Sequence, residues 1–212
     1  KDKKKSLYCW ALSNLADMYG HAGRIGESYK AFLDVLKKDP ANLYCLKGIA
    51  WIAFAHDNNT AAARRILQYI LSQADLPDIK LMMAGIAEKE SKPEESKQWI
   101  NEFIADVKKP GYGDMYNKYL INIWAEDKQD QLKALALAKQ ELTNRFTPET
   151  CDWLAWVHYQ MGNLKEAFKL SEAYVYKHSS EPDAMMHTAF IYAANGKKQE
   201  AKELLQECLE SS

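Results

Sequence analysis

Two short stretches, Gly162-Asn-Leu-Lys-Glu-Ala167 and Gly196-Lys-Lys-Gln-Glu-Ala201, decide the fold because they repeat one pattern at a fixed distance. Their glycines and their alanines are separated by the same interval, about 34 residues. Upstream of each of these alanines, at equal distance, stands another alanine, Ala155 or Ala189, so this pair repeats at the same interval. Small residues that recur in this way indicate a unit of two helices that repeats along the chain.

The same two small positions recur towards the start of the chain. The position in the first helix returns as Ala16, Ala50 and Ala84, each one such interval from the next. A bulky side chain at such a site would force the paired helices apart, at a cost of about 1–3 kcal/mol. The position in the second helix is occupied in turn by Ser28, Ala62, Ser96, Ala134, Ala167 and Ala201.

A period of about 34 residues with paired helices is the signature of the tetratricopeptide repeat. The chain resembles this family over roughly residues 8–210, although one such segment alone would be weak support. The first repeat carries the fuller pattern, with Leu12, Leu15, Ala16, Tyr19, Gly23, Phe32 and Pro40. The last repeat carries Ala189, Tyr192, Gly196, Ala201 and Leu205.

The resemblance implies an all-α fold, a right-handed α-α superhelix (solenoid) of about six helical hairpins. We expect a single superhelical domain over residues 1–212, with two helices of about 13 to 16 residues in each hairpin. Each hairpin alone would expose an apolar face, so stability would come from stacking. The predicted hairpins cover residues 7–39, 42–74, 77–108, 113–145, 149–178 and 182–210.

Particular residues predict the helix ends. Thr147 can cap the free amides of the helix that follows it. Glycines such as Gly162 stand in the turns between two helices, where a left-handed residue is often needed. Four prolines stand where helices are expected to begin, a position that tolerates the missing N–H: Pro77, Pro93, Pro148 and Pro182.

The fourth hairpin departs from the family pattern. Asn122 occupies the small position, and the turn Asp127-Lys-Gln-Asp130 contains no glycine. A longer connection, Lys108–Asp114, precedes this hairpin. This connection either bends the superhelix and lets its halves hinge, or it is a simple surface loop, as most connections are.

Composition argues against a nucleic-acid partner and against a membrane span. Lysine and arginine total 28 and aspartate and glutamate total 29, which gives a formal net charge of -1. Because a nucleic-acid-binding protein usually carries a basic excess, we expect no nucleic-acid partner. The longest apolar runs, such as Ile49–Ala55, are much shorter than the roughly 20 residues of a membrane-spanning helix, so we expect no membrane span.

The cysteines bear on the cellular compartment. They lie far apart and form no CxxC pair, so we interpret them as small buried apolar side chains. This usage favours a reducing compartment such as the cytoplasm. Because the sequence starts at Lys1 rather than Met, a processed exported protein or a fragment of a longer protein stays an alternative. The cysteines are Cys9, Cys45, Cys151 and Cys208.

No catalytic or metal-binding motif is found. The sequence contains neither GxSxG nor HExxH, the motifs of common serine hydrolases and zinc peptidases. Asn195-Gly-Lys-Lys198 lacks the upstream glycine and the hydroxyl of a phosphate-binding loop. None of the five histidines lies three or four residues from another histidine or a cysteine. We therefore expect no enzyme activity, no cofactor and no metal site.

The resemblance also implies that the first helices of the hairpins line a groove that holds an extended peptide or a partner helix. The matching positions are rich in Trp and Tyr, which are favoured at binding hot spots. These rings either form a partly exposed strip or belong to the core. The candidate groove residues are Trp10, Ser13, Asp17, Tyr44, Lys47, Trp51, Phe54, Leu81, Glu88, Tyr116, Tyr119, Asp152, Trp156, Tyr159, Met186 and Phe190.

One subtype of the family grips the carboxylate at the end of chaperones with a Lys and an Asn on the first groove helix. This chain has Ser13 and Asp17 at those places. The charge of Asp17 would repel a terminal carboxylate, which argues against that role.

The leading hypothesis is a non-catalytic scaffold that binds a protein or peptide in the groove. A homodimer through the C-terminal hairpin is also predicted, because no polar capping helix follows the apolar residues of the last helix. Further protein beyond that helix is the other explanation. Two other functions stay open: small-ligand or glycan recognition by a helical-repeat protein of a bacterial surface, and an accessory domain of a larger enzyme or regulator. The apolar residues of the last helix are Leu204, Leu205, Cys208 and Leu209.

Overall fold

The computed structural model describes residues 3–210, and within this range the secondary structure is entirely helical. Within these described residues twelve α-helices follow one another, and a short π-helical segment, Ser171–Val175, continues the tenth. The predicted all-α class, with six helical hairpins, is confirmed. The helices are α1 Lys3–His21, α2 Ile25–Leu36, α3 Leu43–Ala55, α4 Thr60–Gln73, α5 Pro77–Lys89, α6 Pro93–Val107, α7 Asn117–Glu126, α8 Gln131–Asn144, α9 Pro148–Gln160, α10 Leu164–Leu170, α11 Pro182–Ala194 and α12 Lys198–Glu210.

The chain divides into two compact units, Lys1–Pro110 and Gly111–Ser212. Unit 1 contains the hairpins α1–α2, α3–α4 and α5–α6, and unit 2 contains α7–α8, α9–α10 and α11–α12. The boundary between the units falls within the long connection that the sequence places before the fourth hairpin.

Local chemistry explains where the helices begin and turn. Each of the four prolines is the first residue of its helix, α5, α6, α9 or α11, as predicted. The Thr147 hydroxyl accepts a hydrogen bond from the Thr150 backbone N–H at 3.3 Å, so this predicted cap is confirmed. Asn42 and Asn59 cap α3 and α4 in the same way. Gly162 has φ +79°, the left-handed conformation that glycine adopts at least cost.

Most of the small positions lie in the cores of the two units, whereas Ala62 and Asn122 are only half-buried. Ala16, Ala50 and Ala84 are buried in unit 1, and Ala155 and Ala189 are buried in unit 2. Gly48, in the middle of α3, is also needed for close packing. A Cβ there would lie 2.3 Å from the Phe32 ring of α2.

Four details of the sequence-based prediction need correction. The helices vary more in length than expected, because α1 has 19 residues and α7 has 10. The second helix of the fifth hairpin is α-helical for only 7 residues before it widens into the π-helical segment. Cys208 is only partly buried, whereas the other three cysteines are buried as predicted. The fourth hairpin starts at Asn117, whose side chain donates to buried Glu141 at 2.9 Å.

Candidate functional site

Three of the predicted groove residues on the first helices of unit 1 carry exposed aromatic rings. Trp10 on α1 and Tyr44 and Trp51 on α3 are all exposed. A partly exposed aromatic strip requires this exposure, whereas core rings would be buried. Phe54 on α3 is half-buried, and Lys89 of α5 lies over its ring at 4.9 Å. We call this surface, with Asp17, Lys47, Leu81 and Glu88, the first-helix face of unit 1.

Two polar contacts tie side chains of this face to neighbouring helices. The Tyr44 hydroxyl donates a hydrogen bond to the Asp17 carboxylate, which links α3 to α1. Lys47 of α3 donates to Asp78 of α5 at 2.8 Å. Burial raises the pKa of Asp17 above its ordinary value, and the positive charges of His21 and Lys47 oppose this rise. On this face, exposed rings therefore lie beside Asp17 and Lys47, whose charged groups have partners within the protein.

A pocket of about 760 Å³ opens beside two of these rings. Trp10 and Tyr44 contribute aromatic surface, while Asn14 and Asn42 contribute amide groups. Ser13, one of the candidate groove residues, also lines the pocket. It is otherwise buried, and its hydroxyl donates to the Trp10 carbonyl at 2.9 Å.

In unit 2, α7 and α11 both pack against α9, so the three first helices form a second continuous face. Tyr119 of α7 and Met186 and Phe190 of α11 are exposed on it. Tyr116 and Tyr159 are half-buried. We call this surface the first-helix face of unit 2.

Two predicted groove residues of unit 2, Asp152 and Trp156, prove to be buried. They lie beneath the face because α11 places His187 against them. The His187 Nδ1 atom hydrogen-bonds to the Asp152 carboxylate at 3.0 Å, and the His187 ring stacks on Trp156 with 4.0 Å between centroids. Tyr159 also stacks on Trp156, with 5.0 Å between centroids. Neither Asp152 nor Trp156 presents exposed surface to a partner, which corrects the prediction for these two residues.

Sequence reasoning missed the part that His187 plays in this cluster. His187 follows Asp152 by one repeat plus one position. That spacing puts the two residues on neighbouring first helices, so the pairing could have been found from the repeat register. The Asp152 Oδ1 and Trp156 Nε1 atoms are buried without a hydrogen-bond partner among the described residues. This cluster therefore combines tight ring stacking with two buried polar atoms that have no hydrogen-bond partner among the described residues. Those two atoms lower the stability of the cluster.

Among residues 3–210, no group of three or more His, Cys, Asp or Glu side chains is arranged to hold a metal ion. No helix in the described part of the chain is both long and apolar enough to cross a membrane.

The comparisons with known proteins agree on the fold. A tetratricopeptide-repeat family model matches residues 183–211, the last hairpin. No curated protein matches the sequence. Three solved structures share the fold over nearly the whole chain.

PilW, described as a widely conserved type IV pilus biogenesis factor, is 21% identical to this chain, with a TM-score of 0.61. The match covers 96% of this chain and 91% of the PilW chain. Pseudomonas aeruginosa PilF is 15% identical with a TM-score of 0.58, covering 96% and 92%. A tetratricopeptide repeat protein from Parabacteroides merdae is 14% identical with a TM-score of 0.55, covering 97% and 80%.

Proposed function

Since the chain is a tetratricopeptide-repeat protein, we propose that it is a non-catalytic scaffold whose first-helix faces bind a protein or peptide segment. The observation that carries the proposal is the exposure of three predicted groove rings on α1 and α3, Trp10, Tyr44 and Trp51. Such rings offer large, rigid contact area and are enriched where binding energy concentrates.

The chemistry of the first-helix face of unit 1 suggests the kind of segment it accepts. Its lysine and aspartate side chains pair with each other, as in the contact between Lys47 and Asp78. A partner rich in charge would have to break such pairs, whereas apolar side chains could pack on the rings without doing so. We therefore propose a segment whose anchors are apolar.

The binding test compares two tyrosines that are similarly exposed in unit 1. Tyr44 lies on the first-helix face, whereas Tyr69 lies on α4, a second helix. A peptide library displayed on phage would be selected against the chain, and the affinity of an enriched peptide measured by fluorescence anisotropy. We expect Tyr44→Ala and Trp51→Ala each to weaken binding by about ten-fold, the scale of a hot-spot residue.

Tyr69→Ala is the control and should leave the affinity within about two-fold, since an exposed ring outside a contact contributes little. Equal losses for Tyr44→Ala and Tyr69→Ala would contradict the proposal. So would a selection in which no peptide is enriched above an unrelated protein.

The pocket beside Trp10 and Tyr44 favours small-ligand recognition as a second candidate function. Two rings near amide groups are the arrangement in which a sugar ring could stack and donate hydrogen bonds. Calorimetric titration with neutral oligosaccharides tests this candidate. Binding that Trp10→Ala abolishes would favour it, and no heat of binding at millimolar ligand would reject it.

Self-association through the C-terminal hairpin, α11–α12, is a further part of the proposed protein-binding role. Leu205 and Leu209 of α12 are exposed, and contact with another copy would withdraw them from water. Light-scattering mass over a concentration series tests it. A mass that stays at 24.3 kDa throughout would reject self-association.

A further inference from the structure

The first helices of unit 2 differ from those of unit 1 in their balance of charge. Lys118 is the one lysine or arginine of α7, α9 and α11, whereas these helices carry four carboxylates, Glu126, Glu149, Asp152 and Asp183. On α3 and α5 of unit 1 the lysines outnumber the carboxylates. By charge complementarity, the first helices of unit 2 favour a positively charged partner.

The one lysine of these helices is bound to Asp183. The Lys118 Nζ atom donates to the Asp183 carboxylate at 2.9 Å, a contact that joins α7 to α11. Both side chains also meet water, with 37% of Lys118 and 56% of Asp183 exposed. The contact therefore lies where a side chain from a partner can reach it.

The surroundings of this contact stabilise a positive charge. Burial acts to lower the pKa of Lys118, but the hydrogen bond to Asp183 and the negative charges of Asp183 and Glu181 outweigh it, so that the pKa stands above its ordinary value. Two carboxylates thus act on one ammonium group. Beneath the same face, the buried Asp152 keeps one carboxylate oxygen without a hydrogen-bond partner among the described residues.

Exposed apolar and aromatic side chains lie on the same helices as this ion pair. Asp183, Met186 and Phe190 follow one another along α11 at helical spacing, and all three are exposed. On α7, the exposed Tyr119 ring follows Lys118 and lies close enough to act on its charge. An arginine side chain suits such a place, because its planar guanidinium pairs with a carboxylate through two N–H groups and stacks on aromatic faces.

We propose that the first-helix face of unit 2 binds a protein segment that carries an arginine, whose guanidinium displaces the Lys118 ammonium from Asp183. The rest of the segment packs on Met186 and Phe190. Lys118 is then an internal occupant of the site, and an arriving arginine competes with it. This inference rests on the proposed function, since it names the kind of segment that one of the two first-helix faces accepts.

The first experiment repeats the phage-display selection on the unaltered chain, on Asp183→Asn and on Asp78→Asn. Asp78 is the matched control, because it also follows a proline at the start of a first helix and also pairs with a lysine, Lys47, at 2.8 Å. Circular dichroism verifies that both variants fold. We expect the unaltered chain and Asp78→Asn to enrich peptides with an arginine at one fixed position, and Asp183→Asn to lose this enrichment by about ten-fold.

The result separates this inference from the proposal on which it rests. Enriched peptides without a fixed arginine would overturn the inference and leave peptide binding standing. An arginine enrichment that Asp183→Asn retains would do the same. A selection in which no peptide is enriched would overturn both.

The second experiment measures whether Lys118 competes with the arginine. An enriched peptide is titrated by fluorescence anisotropy, beside a copy in which citrulline, an uncharged analogue, replaces the arginine. We expect citrulline to weaken binding by about ten-fold. Lys118→Met should tighten binding of the arginine peptide by about three-fold, because Asp183 then has no lysine to release.

Lys133→Met is the control for the change in net charge. It removes the same charge from another exposed ion pair of unit 2, the one with Asp130, and should change the affinity by less than about two-fold. Weaker binding to Lys118→Met would mean that Lys118 itself contacts the peptide, and the displacement would be rejected. Equal effects of Lys118→Met and Lys133→Met would reject it as well.

Discussion

Trp51 in unit 1 and Trp156 in unit 2 occupy the same place in their repeats, each directly after the small residue of a first helix. Trp51 is 45% exposed and Trp156 is only 6% exposed. One position and one residue type thus supply a candidate contact residue in one unit and a core residue in the other. The neighbouring hairpin accounts for the difference.

One repeat after Trp156 stands Phe190, with ring centroids 6.3 Å apart, and His187 stacks against the same indole. One repeat after Trp51 stands Gly85, which has no side chain to cover a ring. Exposure of a first-helix aromatic is therefore controlled by residues one repeat further along the chain. Substitutions in the two units test this difference.

The largest expected effect is that of Trp156→Ala. Removing a buried indole that stacks on two other rings should lower the free energy of unfolding by about 3–5 kcal/mol. Trp51→Ala should cost less than about 1 kcal/mol, because nearly half of its surface already meets water. Urea unfolding followed by circular dichroism measures both. Comparable losses for the two variants would show that the units do not differ in this way.

The polar contacts beneath the rings should differ in the same direction. Asp152→Ala leaves the buried His187 ring without its partner and should cost about 1–3 kcal/mol. Asp78→Ala removes the partly exposed pair with Lys47 and should cost at most about 1 kcal/mol. The same urea titrations test this expectation, and a greater loss for Asp78→Ala would reverse the ranking.

Glycine substitution tests whether the space beside Trp51 is open. A Cβ at Gly85 would lie 3.9 Å from the Phe54 ring, an ordinary contact, so Gly85→Ala should stabilise α5 by about 0.5–1 kcal/mol. Gly48→Ala is the matched change within α3, and it should destabilise by about 1–3 kcal/mol because of the Phe32 ring. Thermal melts of the two variants should shift in opposite directions, and a lower transition for Gly85→Ala would mean that α5 is tightly packed there.

The smallest expected effect is on the pH dependence of unit 1. Hydrogen bonds from Lys92 and Arg64 lower the pKa of Glu90 from 4.5 to about 2. Folding therefore favours the ionised carboxylate, and this contribution is present above pH 4.5 and is lost as the pH falls through about 2. Glu90→Gln should flatten the dependence of stability on pH in that window, as measured by urea unfolding at several pH values.

Lys92→Met should remove part of the same dependence, since it deletes the larger cause of the shift. A profile for Glu90→Gln that matches the unaltered chain would contradict the assignment.

Much of the fold could be predicted from the sequence because its signals are local. Each of the four prolines begins a helix, as predicted. Gly162 adopts the expected left-handed backbone conformation in its turn. The departures are local as well. The π-helical segment Ser171–Val175 gave no sign in the sequence that periodicity could detect, because its residues follow the same apolar spacing as the helix before it.

The candidate site could be predicted only in part. The repeat register placed all of its residues except Tyr116, which precedes α7, on first helices, and Trp10, Tyr44 and Trp51 are exposed there. The same register included Asp152 and Trp156, which are buried. Burial depends on what the next hairpin places against a residue, and that contact is not encoded in the residue's own position.

By itself, the sequence determined the six hairpins and the positions of their turns, because small residues, prolines and glycines act within a few residues of where they stand. Only the tertiary structure decided which aromatic rings meet water. The exposure of each ring is set by side chains from a neighbouring hairpin, such as His187 over Trp156, once stacking has brought the two hairpins together.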